Sequence, residues 1–104
     1  MPEIVQDGAK TELFDFLSLP WTMRIILSLD KPERSRFQDL VEGFTGLSPA
    51  TLSNRLKKLH ELGLIDRHQY QDNPVRLSYE LTQDGVVVAT KVENLRRTCQ
   101  HLDA

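Results

Sequence analysis

Between Ser48 and Lys58 the chain reads "SPATLSNRLKK", with short hydroxyl and amide side chains first and long cations one turn later. Ser, Thr and Asn have mediocre helix propensity, so a merely solvated helix face would favour Glu, Lys or Ala in their place. What these residue types do well is bond to base edges. An asparagine amide pairs bidentately with adenine, Ser and Thr hydroxyls bond several bases, and an Ala or Thr methyl touches thymine. Ser48, Pro49, Ala50, Thr51, Ser53 and Asn54 are therefore candidate DNA-reading residues, Asn54 foremost. Arg55, Lys57 and Lys58 follow at a reach suited to phosphates, contacts that position a helix without reading sequence. The competing reading of "RLKKLHE" is an ordinary basic surface.

A second set flanks the turn "QDNP". Arg67 and Arg76 are placed to approach the DNA backbone or a narrow minor groove, with Asn73, and more weakly Gln69, near the tip. Asp72 would repel phosphate there, so it either holds the turn or pairs with Arg76. Other chemistry is not signalled. Cys99 and His101 are two apart on a predicted helix, where neighbours at that spacing do not share a face. His60 and His68 lie in different predicted elements, so no metal set and no cofactor are expected. The chain contains no GxxxxGK[ST], GxGxxG, GxSxG or HExxH, and no pairing of carboxylates into an acid/base site is evident, so enzyme activity is not expected.

The elements that must position these residues follow from periodicity and punctuation. Thr11 is a candidate cap for a helix over "ELFDFLSL", ended by Pro20. A second helix begins at Trp21 with Ile25, Ile26 and Leu29 at helical spacing, and a third begins with Ser35 and Gln38 in capping-box spacing and ends near Gly43. "FTGL" then turns the chain, Ser48 with Pro49 restarts it, and Gly63 closes a fourth helix whose Leu52, Leu56 and Leu59 form one apolar stripe. This is helix-turn-helix grammar over about residues 36–63. "LIDRHQY" and "VRLSYEL" read as a two-stranded hairpin, a wing over about residues 64–81. Thr82 caps a last helix, about residues 83–102, in which Val88, Val92, Leu95, Cys99 and Leu102 recur at heptad-like spacing.

Such a seam can lie on its own domain or on a symmetry mate. The mate is favoured, because the middle helices and wing already bury one another and leave both terminal helices, with Leu13, Phe16 and Leu17 on the first, needing cover. The fold class is thus mainly α with a small β-hairpin, a winged helix-turn-helix with flanking dimerisation helices. One domain is expected from 104 residues and 27% charged composition. Residues 1–47 carry five Lys/Arg against eight Asp/Glu, residues 48–76 five against three, and residues 77–104 three against four. The net charge of −2 therefore divides as −3, +2 and −1, with the positive excess on the predicted reading helix and wing. No apolar run is long enough for a membrane span, no signal-peptide layout is present, and a single cysteine cannot form an internal disulfide, so a cytoplasmic, membrane-free protein is expected.

The blocks "LPWTMRIILSL", "RFQDLVEGFTGLSPATLSNRLKKLHELGLIDR" and "NPVRLSYELTQDG", in that order over residues 20–85, resemble the HxlR-type transcriptional regulators, relatives of the MarR proteins. The resemblance implies a homodimer on a pseudo-palindromic operator, with the fourth helix in the major groove and the wing near the minor groove. Members often carry a cysteine near the N-terminus that some use as a redox or electrophile sensor; residues 1–20 contain none. The expected function is sequence-specific binding of double-stranded DNA, with repression the default. A small-molecule inducer pocket lined by residues such as Phe14, Phe16 and Trp21 is one reading of these aromatics, and plain core packing is the favoured one. The alternative is a winged-helix module that docks protein without specific DNA binding, which the acidic N-terminal half would suit.

Overall fold

The computed structural model describes residues 8–103. In chain order the elements are α1 (Gly8–Leu17), α2 (Thr22–Ser28), β1 (Ser35–Arg36), α3 (Phe37–Gly43), α4 (Pro49–Glu61), β2 (Ile65–Asp72), β3 (Val75–Leu81) and α5 (Gln83–Asp103). Thr11 falls inside α1 rather than ahead of it, since Ala9 and Lys10 are good helix formers that carry the helix upstream.

The strands make one antiparallel sheet in the order β1-β3-β2: β2 and β3 form the two-stranded wing that the sequence suggests, and β1, from ahead of α3, adds a third strand that the sequence does not suggest. β1 pairs Ser35 with Tyr79 and Arg36 with Ser78. That pairing also overturns the capping box: the residue at the α3 cap is Arg36, without a side-chain cap, and Ser35 is turned into the sheet with its hydroxyl buried. Gln38 bonds Glu42 instead of reaching back to a cap. A two-residue strand has no periodicity of its own, and its backbone follows β3.

The core is continuous across the domain. Ile25, Ile26 and Leu29 from α2, Leu40 from α3, Leu52, Leu56 and Leu59 from α4, and Ile65 and Tyr79 from the sheet are all buried. Each large aliphatic side chain so buried contributes about 1.5–3 kcal/mol relative to exposure. Trp21 leads into α2 with φ 76°, a left-handed conformation for a side chain with a Cβ. Its ring meets Phe44 edge-on with centroids 6.1 Å apart, and the Arg24 guanidinium lies over it at 5.8 Å. Phe16 is in the core at 8% exposure while Phe14 faces solvent at 71%. Phe16, and in part Trp21, are thus the core aromatics that the sequence favours while Phe14 is not, because helical spacing sends Phe14 and Phe16 to different sides of α1.

α5 divides in two. Gly85, Ala89 and Val92 are buried and Val88 is half-buried, with α5 packed on α2. From Asn94 to Asp103 every residue is exposed, so nearly three turns stand off the body.

Candidate nucleic-acid interface

α3 and α4 are joined by the short turn Phe44–Ser48, in which Gly46 takes φ 92°. Ser48 then starts α4 as the residue types require. Its hydroxyl accepts from the Thr51 backbone N–H at 3.1 Å and donates to the Thr51 hydroxyl at 2.9 Å, and Pro49 occupies the first helical position. At the other end the N–H of Gly63 bonds the His60 carbonyl and that of Leu64 bonds the Leu59 carbonyl, both at 3.0 Å. Gly63, at φ 80°, makes this closure possible.

Burial of Leu52, Leu56 and Leu59 fixes the roll of α4. Ala50, Ser53, Asn54 and Lys57 are left exposed on one stripe at helical spacing. Ser48 and Pro49 are exposed at its start. Thr51 is half-buried with its hydroxyl engaged by the cap, so its methyl is the part left for contact.

Two of the three predicted phosphate-binding cations have other work. The Lys58 ammonium bonds Glu12 Oε2 of α1 at 2.7 Å, and this hydrogen bond raises its pKa above the ordinary lysine value. Arg55 is half-buried and donates through Nε to the Pro20 carbonyl at 3.4 Å. Both side chains brace α4 against the α1–α2 region. Among the described residues Lys57 has no such partner, so it is the cation of the three that faces outward.

On the wing, Arg67 of β2 and Arg76 of β3 are exposed, as are Gln69 and Asn73. Asp72 accepts from the Gln69 amide at 2.8 Å, so it holds the turn rather than pairing with Arg76. Burial pushes the phenol of Tyr79, opposite Arg67, above its usual pKa. Sequence reasoning overlooked Arg36, whose guanidinium lies 5.1 Å over the Tyr70 ring. Tyr70 lines a cleft of about 180 Å³ with Phe37, Gln38, Val75, Arg76 and Leu77. The signal for Arg36 is its place opposite Ser78, which appears only once β1 is seen to pair.

The predicted dimerisation residues divide between the chain's own core and its surface. Phe16, Leu13, Leu17 and Val88 pack on the chain's own core, while Leu95, at 50% exposure, Cys99 and Leu102, at 76%, are open. Met23, Leu27, Val92, Leu95 and Cys99, together with Arg24 and Arg96, line a mainly apolar groove of about 500 Å³ between α2 and α5. Glu93 is held by both Arg96 and Arg97 at 2.8 Å, which lowers its carboxyl pKa to about 2.

The HxlR-like helix-turn-helix family model matches residues 16–102. The chain belongs to that family. It is 35% identical over 75 residues to the uncharacterized HTH-type transcriptional regulator YvaP of Bacillus subtilis, covering 72% of this chain and 68% of that one. It is 32% identical over 91 residues to an uncharacterized HTH-type transcriptional regulator of Halalkalibacterium halodurans, covering 88% of this chain and 80% of that one. Among solved structures, a possible HxlR family transcriptional factor from Thermoplasma volcanium superposes with a TM-score of 0.80 at 30% identity, covering 97% of this chain and 89% of that one. This HxlR protein is accordingly a transcriptional regulator of the helix-turn-helix type and not an enzyme. Among the described residues no helix is long and apolar enough to cross a membrane.

Proposed function

We propose that this HxlR protein is a cytoplasmic homodimeric repressor that binds a pseudo-palindromic operator in double-stranded DNA and blocks polymerase. The observation that carries the reading is the exposed stripe of Ala50, Ser53, Asn54 and Lys57, held outward by the buried leucine face of a helix capped at Ser48. Inserted in a major groove, the N-terminal half of α4 meets base edges, with Asn54 suited to adenine and the Ala50 methyl to thymine. Lys57, Arg67 and Arg76 supply phosphate contacts, while Arg55 and Lys58 hold the helix from behind. Pairing of two chains through α5, with α1 beside it, sets the two reading helices one DNA turn apart, about 34 Å. A small-molecule inducer would act by binding the DNA-free dimer more tightly than the DNA-bound one.

Two measurements test this. Asn54→Ala is expected to cost about 1–3 kcal/mol on the preferred site while sparing binding to unrelated DNA. Equal loss on both, read by fluorescence anisotropy, removes Asn54 from base reading. With three phosphate-reaching cations per subunit, a dimer is expected to lose affinity with a log-log salt slope near about −5. A protein-docking module would show little DNA binding at any salt.

A further inference from the structure

The pairing of β2 with β3 sets Asp66 directly opposite Glu80, and the two-residue period of a strand puts His68 on the same face as Asp66. One ligand atom from each of these three side chains lies within 4.8 Å of the others. His68 Nε2 is already 2.7 Å from Glu80 Oε2, and both side chains are about one-third exposed, at 31% and 33%. Asp66 is open to solvent with no described partner. Arg34 donates to the same Glu80 oxygen at 3.0 Å, which leaves Oε1 without a described partner.

We propose that Asp66, His68 and Glu80 form a binding site for zinc or a similar divalent first-row transition ion. An imidazole nitrogen with two carboxylate oxygens suits such an ion better than calcium or magnesium, which take oxygen ligands. Tetrahedral ligands at about 2.0–2.2 Å from zinc stand roughly 3.4 Å apart. The His68–Glu80 contact therefore opens by less than about 1 Å while the exposed Asp66 side chain turns in. Three protein ligands leave a fourth position for water. Two carboxylates against Arg34 leave one net negative charge with His68 neutral, which favours a dication, while the nearby guanidinium keeps the affinity moderate. The ion ties β2 to β3 at the end of the hairpin nearest the core. None of these residues belongs to the reading stripe, so the site stands or falls independently of the DNA-binding proposal.

The test is calorimetric titration of the chelator-stripped full chain with zinc chloride at neutral pH. One ion per chain is expected with a micromolar Kd, weakened at least about tenfold in both His68→Ala and Asp66→Asn. Cys99→Ser is expected to bind as the wild type does, which sets the lone thiol apart from the site. Asp66→Asn changes an exposed side chain only, so it reads the site even where His68→Ala disturbs the sheet. No binding at about 100 μM zinc, unchanged affinity in Asp66→Asn, or loss in Cys99→Ser overturns the proposal.

Discussion

Replacing Gly85 by alanine is expected to destabilise the fold by about 3 kcal/mol, although alanine is the better helix former by roughly 1 kcal/mol. Gly85 lies in the first turn of α5, where a methyl group would run into the Leu64 carbonyl oxygen and meet Leu64 C at 3.0 Å and Leu81 Cδ2 at 3.2 Å. The obstacle is backbone and it is tied down. The Leu64 carbonyl accepts the Thr82 N–H at 3.0 Å, and the Leu64 N–H is committed to the Leu59 carbonyl at 3.0 Å. From the other side, Thr82 Oγ1 accepts the Gly85 N–H at 3.0 Å while its hydroxyl donates to the Gly63 carbonyl at 2.7 Å. A side chain at Gly85 must therefore part α5 from the α4–β2 turn and break bonds that hold both. Urea unfolding of the variant should show a lower midpoint at unchanged slope. Wild-type stability in Gly85→Ala would contradict this close seating of α5.

The second large effect is expected at Leu95. Leu95→Glu places a charge on the apolar groove between α2 and α5 and, in a two-fold dimer, does so twice in one interface. Because Leu95 is half exposed, the monomer should keep its fold. A buried unpaired carboxylate is costly enough to dissociate the pair, so sedimentation should show monomer. Operator affinity should then fall by orders of magnitude while circular dichroism stays unchanged. A variant that still sediments as a dimer would move the interface away from the C-terminal seam.

Much of this was legible in the residues themselves. The leucine stripe of α4, its Ser48-Pro49 start and its Gly63 end are short-range signals, and each has the structural role that its chemistry indicates. The Val88–Leu102 seam was legible as a pattern, but not its division, because only the tertiary position of α2 decides that Val92 is covered and Leu95 is not. Long-range pairings were not legible. Nothing near Ser35 announces that a two-residue strand will bind β3, and that pairing displaced the expected cap. Lys58 reaches Glu12 across 46 positions of chain, which no local pattern could indicate. The Asp66–His68–Glu80 cluster escaped notice for the same reason: strand register, not spacing along the chain, brings Glu80 to the other two.

The most direct test of the central claim is selection from genomic DNA. The purified protein is incubated at about 0.15 M salt with fragments of its own genome, and the bound fragments are recovered and sequenced. A dimer reading through α4 predicts enrichment of fragments that share an imperfect palindrome with half-site centres about 10 bp apart, and loss of that enrichment in Asn54→Ala. Recovery no different from input would contradict sequence-specific DNA binding and favour a protein partner for this face.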